Sequence, residues 1–529
     1  MDSKYQSSAN AHFRINCWPL FFVKNICRDQ ASFNQPLNHL GVAMNRFYQV
    51  WATLLFISCF LISSANAFQA ESIVENGNFA DWKDGRPVGW EFDVDAKSGE
   101  GNPSKISNKN GLQLSGDVKT TGWHFAKQSL KLKPNQIYRF QFSAKASAVK
   151  QEAGQSFDNC WVGLFFKNAQ GQKTGTQIWG LSHMDQEQGD WTFKLEPPVV
   201  SADVMVFLSK TGKLSVNNVS VTIPDPTDSF EILCSDMDRN YSYFEHKKID
   251  WKALTEKYRD KANAAAKEPD KFVDVVTNML AELKDQHTWV IHNGQQHQKF
   301  STGWKPNFDF RVVEKSLDNV KRIGNFGLVG KTKDGFGYIR LVSLSGMDKR
   351  TLQKFARAIG TLFDTPGIIM DLRKNNGGAE PVAAAIAGFF ADQEYVYAKS
   401  KFRSGPKHSD FTRVHSRKIN PGRGEIYTKP IVCLIGPAAI SSAEGMALMM
   451  KSLPHCTTMG KPTRGSSGNP APVMLPNGME VFYSRWVAMT PEENSIEGVG
   501  VAPDIEVEHE NGSDNTFTKA IATLREKTK

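Results

Sequence analysis

The sequence predicts a multidomain protein with an N-terminal β-sandwich, a small helical region and an α/β core. A length of 529 residues exceeds what one hydrophobic core usually holds. From about residue 72 to residue 224, short alternating apolar runs are separated by Gly, Asn, Asp and Pro turns, as in β-sandwiches. After about Gly335, apolar strand-like runs alternate with helical patterns, which indicates helices packed on a sheet.

The N-terminal segment reads as an export signal. Residues 44–67 contain Arg46, an apolar stretch and the Ala65-Asn-Ala67 cleavage pattern of a secretory signal peptide. The alternative is that this apolar stretch is a transmembrane anchor. Elsewhere in the sequence, no stretch approaches the ~20 apolar residues of a membrane span. Residues 1–43 form an upstream extension, and Met44 is the expected start if they are not translated. We therefore expect an exported protein, periplasmic or extracellular, with no stable membrane span.

Charge and cysteine usage exclude some function classes. The net charge of +9 includes no dense basic stripe, so a nucleic-acid partner is not expected. The cysteines are widely spaced and lack a C-x-x-C pattern, so a zinc site is not expected, and the chemistry predicted below implies no metal or organic cofactor. Cys433 and Cys456 are either a disulfide across the core or two buried free thiols.

Residues 72–224 resemble a known β-sandwich family. The opening Asn76-Gly-Asn-Phe79, the following Pro87-Val-Gly-Trp90 and the closing run 214–221 are similar to the first and last strands of carbohydrate-binding, galactose-binding-like jelly rolls. Tyr138–Ala146 is one of the predicted strands between them. The resemblance implies a jelly-roll fold more strongly than it implies sugar binding.

Three tryptophans of this region have two interpretations. Trp123, Trp161 and Trp179 could form an aromatic platform for a sugar ring, because apolar sugar faces stack on indoles. Alternatively, they belong to the core of the sandwich. A polysaccharide or a cell-envelope glycan is therefore a candidate partner.

Residues 228–290 form the predicted helical region, and Pro224-Asp-Pro226 is the linker before it. Trp251–Asp260 is a short amphipathic helix, and Lys271–Leu283 carries one clear apolar face at helical spacing.

Residues 300–510 form the predicted α/β core. We expect strands at 337–342, 367–371 and 430–435, helices at 351–363, from about 381 and from about 442, and a hairpin at Leu475-Pro-Asn-Gly478 that enters a strand over 481–487.

Two loops of the core carry residues suited to attack on a carbonyl. Ser441 and Ser442 follow a strand and begin a helix, where free backbone N–H groups stabilise an oxyanion. Ser441 could instead only cap the helix, with Glu444 completing a capping box. Gly377 and Gly378 follow another strand, and they either form a simple turn or let backbone amides approach a ligand closely.

The motifs in their order resemble the C-terminal-processing (tail-specific) serine peptidase family, S41. They are Asp-Leu-Arg-x-Asn-x-Gly-Gly over 371–378, Ser-x-Ala-Glu over 441–444 and Gly-Val-x-Pro-Asp over 500–504. The resemblance covers about 230–507 and implies a ClpP/crotonase-like core with Ser441 as the nucleophile. Ser442 is the competing serine. The resemblance also implies an oxyanion hole from backbone N–H groups of Ser442 and of Gly377 or Gly378.

Which residue acts as the general base depends on the branch of the family that the chain resembles. One branch uses a lysine 25 residues after the nucleophile, but that position is Ser466, and the nearby Arg464 cannot act as a base. The tricorn-like branch has Leu-x-Asp-x-His-Thr, which matches residues 283–288 and implies His287 as the base. In that branch Glu497 matches the supporting carboxylate.

Other polar residues near these motifs are not assigned a catalytic role. His292 competes with His287 but matches no motif, and Asp285 is not expected to orient the imidazole. Asp371 and Arg373 are interpreted as structural. Gly335 follows His287 by only 48 positions, so we expect no PDZ domain, which many members have at this point.

The sequence therefore predicts an exported serine endopeptidase that acts on a protein or peptide through Ser441, His287 and Glu497, without a cofactor. The alternative is a non-catalytic ligand-binding protein on the same fold, as in interphotoreceptor retinoid-binding protein. A glycoside hydrolase would need two opposed carboxylates, and no motif supplies such a pair.

Overall fold

The computed structural model describes residues 71–94, 105–116, 123–149, 158–181, 187–209, 211–510 and 512–529. They belong to two compact units, which divide between Pro224 and Asp225. The predicted extension and signal peptide (1–67) lie outside the described residues. No helix within the described residues is long and apolar enough to cross a membrane.

Antiparallel strands build the first unit. In chain order they are β1 (Trp82–Lys83), β2 (Arg86–Pro87), β3 (Glu91–Val94), β4 (Lys105–Asn108), β5 (Leu112–Gly116), β6 (Trp123–Lys131), β7 (Ile137–Ser147), β8 (Cys160–Asn168), β9 (Lys173–Gly180), β10 (Glu187–Lys194), β11 (Val199–Ser209) and β12 (Gly212–Thr222). They form a ribbon, β1-β2, and two five-stranded sheets, ordered β10-β7-β12-β5-β4 and β3-β6-β11-β8-β9.

The two five-stranded sheets share one hydrophobic core. In β7, Tyr138, Phe140 and Phe142 are buried and alternate with more exposed residues, which is the period of a sheet with one covered face. They pack in the same cluster as Leu164 and Val204 of the other sheet. The first unit thus contains the two packed sheets that the sequence predicts. They pack against each other because the alternation places apolar side chains on one face of each sheet.

The Asn76-Gly-Asn-Phe79 motif has a structural role. Phe79 is buried, and its ring centroid lies 4.9 Å from that of Trp90. The Asn76 side-chain amide donates to the carbonyl oxygens of Asp81 (2.8 Å) and Val88 (3.0 Å). These contacts attach residues 76–79 to the hydrophobic core of the first unit.

The tryptophans of the proposed platform differ in their packing. Trp179 packs against Phe140 and Phe142 with ring centroids 5.3 and 5.6 Å apart, so it belongs with the core. Trp161 is 8% exposed and stacks on Phe207 at 4.6 Å. The side chain of Trp123 lies outside the described residues.

The second unit combines helices with three sheets. Its helices are α1 (Ser229–Asn240), α2 (Trp251–Ala265), α3 (Pro269–Ala281), α4 (Phe310–Lys315), α5 (Lys349–Gly360), α6 (Glu380–Ala387), α7 (Ser442–Lys451) and α8 (Asn515–Lys527). Its strands are β13 (Trp289–His292), β14 (Gln295–His297), β15 (Leu317–Ile323), β16 (Gly327–Thr332), β17 (Gly337–Leu341), β18 (Ile368–Asp371), β19 (Tyr395–Phe402), β20 (His415–Ile419), β21 (Ile431–Ile435), β22 (Cys456–Gly460), β23 (Ala471–Met474), β24 (Glu480–Tyr483), β25 (Trp486–Met489) and β26 (Ile505–Glu506).

A seven-stranded sheet, β15-β16-β17-β18-β21-β22-β26, forms the centre of this unit. It is parallel from β17 to β26. Ile368 and Met370 pack with α5, α6 and α7, whereas Ile369 packs with α8. Because both faces are covered, β21 is buried at every residue, which is typical of parallel strands.

Two smaller sheets accompany this layer, ordered β14-β13-β24-β23 and β20-β19-β25. The predicted single strand over 481–487 is therefore wrong, because β24 and β25 belong to different sheets. The chain breaks between them where the Ser484 hydroxyl donates to Asp285 (2.7 Å) and the Arg485 N–H donates to the Gly468 carbonyl (2.8 Å). The other predicted elements of the core lie within a few residues of the observed ones.

Cys433 and Cys456 are both buried free thiols. They lie on the paired strands β21 and β22, but Cys433 is opposite Thr458 and Cys456 is opposite Ile431. Burial raises the pKa of both thiols. The disulfide alternative is thus not what the structure contains.

Arg373 fastens the loop after β18 to the last helix. Its guanidinium, fully buried, donates to both carboxylate oxygens of Asp371 (3.0 and 2.7 Å) and to Asp514 (2.7 Å), the N-cap residue of α8. The Tyr338 hydroxyl donates to Asp371 (2.8 Å) and completes the network. The structural interpretation of Asp371 and Arg373 agrees with these contacts.

Replacement of Arg373 by Met should lower the free energy of unfolding by about 3–5 kcal/mol, because two buried carboxylates lose their cation. The matched control is Arg311→Met, since Arg311 also pairs with an aspartate, Asp309, but is exposed. We expect no measurable change for the control. Urea titration of both variants checks this, and equal losses would contradict the assigned role of Arg373.

Candidate active site

Three loops meet at the carboxyl edge of the central sheet. They follow the adjacent parallel strands β18, β21 and β22, and such edges are where open α/β sheets place their sites. The Ile440 N–H donates to the Asn375 carbonyl (3.2 Å), and the Ser441 N–H donates to the Ser466 carbonyl (2.9 Å). Parallel pairing therefore brings together motifs that are far apart in the chain.

Ser441 sits at the N-cap of α7 in an unusual backbone conformation. Its φ of 62° and ψ of −129° lie in a region that L-residues rarely adopt. Such a conformation costs of order 1–3 kcal/mol, and surrounding contacts have to hold it. The Ser441 N–H is held by Ser466 and also by Glu444 Oε2 (3.2 Å).

The glycine pair lies directly against Ser441. A Cβ at Gly377 would lie 2.8 Å from the Cβ of Ser441, and φ there is +78°, so glycine is required. The Gly377 N–H donates to Asn375 Oδ1 (2.8 Å) and is therefore engaged. Within the described part of the chain, the N–H groups of Gly378 and Ser442 have no recorded acceptor. Of the predicted oxyanion donors, Gly378 and Ser442 are the two that remain available.

Glu444 joins the two loops beside it. Its fully buried carboxylate accepts from the Thr463 hydroxyl and the Gly465 N–H at Oε1 (both 2.7 Å). At Oε2 it accepts from the Ser466 N–H (2.9 Å) and from Ser441. Burial raises the pKa of Glu444 to about 7, and these hydrogen bonds oppose the rise. Glu444 does more than cap a helix, because it fixes Ser441 relative to Ser466.

His287 lies in the loop between α3 and β13. Asp285, fully buried, accepts from the His287 N–H (2.7 Å) and from the hydroxyls of Ser484 and Tyr241 (2.7 and 3.1 Å). Asp285 thus fixes the backbone at His287, and its charge also acts on the imidazole. Burial lowers the pKa of His287 and the charge of Asp285 opposes the shift, so the ring is neutral at pH 7.

The imidazole is in contact with a residue that the sequence argument passed over. Nδ1 of His287 lies 2.6 Å from the Ser466 Oγ, and both side chains are buried. Ser466 therefore contacts His287 through its hydroxyl and Ser441 through its carbonyl. The one signal for it in the sequence is its position 25 residues after Ser441, where the other branch has a lysine.

Glu497 is close to this site but bonded elsewhere. Its Oε1 lies 2.7 Å from Nζ of Lys247, which also donates to the Lys284 carbonyl (3.0 Å). Its Oε2 is buried and has no partner among the described residues. Among the described residues Glu497 forms no hydrogen bond with His287, so the contact expected of a supporting carboxylate is not formed. Burial and the charge of Asp285 raise the pKa of Glu497, and Lys247 opposes this rise.

The competing residues are committed to other contacts. The Ser442 hydroxyl donates to the Gly378 carbonyl (2.6 Å), which connects the start of α7 to the glycine pair. Nε2 of His292 lies 3.8 Å from Asp270 and 3.1 Å from the Asn293 side chain. In the described residues no group of three or more His, Cys, Asp or Glu side chains is arranged to hold a metal ion.

Two family models match the second unit. Residues 335–507 match "Peptidase family S41", and residues 225–281 match "Tricorn protease C1 domain". The chain is 26% identical to the carboxy-terminal-processing protease of Bartonella bacilliformis over 37% of its own length and 45% of that protein. It is 23% identical to carboxy-terminal processing protease CtpB of Bacillus subtilis over 46% and 49%.

The chain thus spans less than half the length of these curated relatives. Among solved structures it is similar to a candidate peptidase of Parabacteroides merdae, with a TM-score of 0.49, 26% identity and coverage of 57% of this chain and 97% of that one. The matches over residues 225–281 and 335–507 support a serine-type peptidase activity in the second unit.

Glu444 should make the stability of the protein depend on pH. Its pKa rises from 4.5 in the unfolded chain to about 7 when folded, so the folded state holds the extra proton between these values. The stability contributed by Glu444 is therefore present below pH 4.5 and is lost as the pH rises to 7, by about 3 kcal/mol in total.

The test compares urea unfolding of wild type and Glu444→Gln, which cannot titrate, at pH 4.5 and at pH 8. Relative to the variant, wild type should lose about 3 kcal/mol between the two pH values. A difference that stays constant with pH would contradict the raised pKa.

Proposed function

We propose that the protein is an exported serine endopeptidase in which Ser441 is the nucleophile and His287 the general base. The observation that carries the proposal is the shared contact with Ser466, whose carbonyl accepts from the Ser441 N–H and whose hydroxyl meets His287 Nδ1. Two motifs separated by more than 150 residues of sequence thereby contact the same residue, one through its backbone and the other through its side chain. The family matches support the same class of reaction.

The proposed chemistry follows from the available atoms. With Nδ1–H donating to the Ser466 Oγ, the Nε2 of His287 carries the lone pair that accepts the Ser441 proton. Ser441 Oγ attacks the peptide carbonyl carbon, and the N–H groups of Gly378 and Ser442 hold the oxyanion. His287 then returns the proton to the leaving amine, and water hydrolyses the acyl-enzyme.

In this proposal Glu497 supports the imidazolium without holding it directly. Glu497 is buried, and its pairing with Lys247 keeps its carboxyl group in one place. The triad of Ser441, His287 and Glu497 is then an electrostatic arrangement, in which Ser466 is the group that orients the ring. The match to the tricorn C1 model and the fit of residues 283–288 support assignment to the tricorn-like branch.

We also propose that the first unit, a carbohydrate-binding-like jelly roll, directs the enzyme to a polysaccharide or a cell-envelope glycan. The two five-stranded sheets and the Asn76-Gly-Asn-Phe79 entry support this type of fold. Export rests on the sequence of residues 44–67. Co-sedimentation of the chain from Phe68 onward with insoluble peptidoglycan tests the glycan proposal, and a chain that remains in the supernatant would contradict it.

Fluorophosphonate labelling tests the nucleophile and the base. We expect labelling of wild type, loss of labelling in Ser441→Ala, and a loss of at least about 100-fold in His287→Ala, because base catalysis contributes that much. Ser442→Ala should keep its label, since the Ser442 hydroxyl is committed to Gly378. Absence of labelling in folded wild type would favour the ligand-binding alternative.

The role of Ser466 is tested by the rate and pH profile of labelling. Ser466→Ala should slow labelling by about 10- to 100-fold, since a misplaced reacting group costs this much. Ser467→Ala, a neighbouring buried serine, is the matched control. In wild type the rate should fall only below pH 6.5, because burial lowers the pKa of His287 from that value. Equal rates in the two variants would remove Ser466 from the mechanism.

A further inference from the structure

A groove of about 1030 Å³ opens beside the candidate active site. Ser466, Glu497 and residues of the segment 300–307 are among the residues that line it. Because Ser466 also contacts His287 Nδ1, a molecule in the groove lies one side chain away from the imidazole. The groove is therefore positioned to hold the part of a substrate next to the reacting bond.

The charge of this groove is unbalanced toward positive. Its two carboxylates are already paired, Glu497 with Lys247 and Glu508 with Lys461. Three further cations line it, and in the part of the chain that the structure describes none of them has a carboxylate partner; these are Lys284, Lys305 and Arg464. These three positive charges are therefore not paired with the carboxylates that line the groove, and they can interact with a negatively charged ligand.

Arg464 is held in place by neutral groups. Its Nε donates to the Pro437 carbonyl (2.5 Å), and Nη1 donates to Gln286 Oε1 (3.0 Å). The guanidinium carbon lies 5.1 Å from the ring centroid of Trp304, whose side chain is 42% exposed. A guanidinium fixed in this way loses little freedom when it meets a carboxylate. The exposed indole adds apolar surface for the stem of a long side chain.

We propose that this groove is a substrate subsite that selects peptide segments carrying aspartate or glutamate side chains. The inference rests on the proposed peptidase function, because it assigns a specificity to the same site. Carboxylates complement the three cations, whereas a lysine or arginine side chain would meet like charge. The size of the groove suits several residues of an extended peptide rather than one isolated ion.

Binding is measured on the full chain carrying Ser441→Ala, so that the result does not depend on turnover. Fluorescein-labelled peptides of one sequence are compared by polarisation: one with glutamates and an amidated C-terminus, one with glutamines and an amidated C-terminus, and one with glutamines and a free C-terminus. The glutamate peptide should bind at least about tenfold more tightly than the amidated glutamine peptide, with a preference that weakens as salt rises.

Charge-reversal variants test whether the groove is the source of the preference for the glutamate peptide. Lys305→Glu should abolish the preference for glutamate, whereas Lys333→Glu, which reverses an exposed lysine outside the groove, should retain it. Equal binding of the glutamate and glutamine peptides, or a preference that survives Lys305→Glu, would overturn the inference. So would a preference for the free C-terminus alone, which would indicate recognition of chain ends. Loss of fluorophosphonate labelling in wild type would instead overturn the peptidase proposal and leave the binding result interpretable.

Discussion

The buried carboxylate of Glu444 is the constraint on which the candidate site depends. Ser441 occupies a backbone conformation that costs free energy, and the loop of Ser466 has no regular structure of its own. Glu444 accepts hydrogen bonds from both. Removing a carboxylate from water is costly, and the four donors around it offset part of this cost. Together with the direct hydrogen bond from the Ser441 N–H to the Ser466 carbonyl, these contacts hold the two loops against each other.

Arg373 has a similar role one layer below. It ties the loop that carries Gly377 and Gly378 to the first turn of α8, so the glycine pair is held by the sheet and by the last helix together. Both devices are buried charges with every strong partner in place, which fixes geometry more reliably than it adds stability. The loops can therefore be irregular in backbone and still precise in position.

Much of the layer architecture could be predicted from the sequence, because the buried parallel strands are continuous apolar runs and α3 has one apolar face. Local sequence patterns did not predict the end of a strand or the burial of a side chain where a tertiary contact determines it. Arg485 leaves the strand because Gly468 accepts its N–H, and Trp179 joins the core through partners far along the chain. Ser441 and His287 stood out through motifs. Ser466, Glu444 and Lys247 acquire their roles only from partners that folding brings to them.

The contact between His287 and Ser466 also bears on how charge is handled in the proposed reaction. A hydroxyl can fix the tautomer of an imidazole, but it offsets the charge of an imidazolium less than a carboxylate does. In the proposed reaction that charge has to be balanced by Asp285, whose carboxylate acts on the ring without a direct side-chain bond to it. On this proposal, burial keeps the imidazole neutral before the reaction, and the Asp285 carboxylate stabilises the ion that would form during it. In a Ser-His-Asp triad one aspartate both orients the imidazole and balances its charge; in the proposed mechanism Ser466 would perform the first function and Asp285 the second.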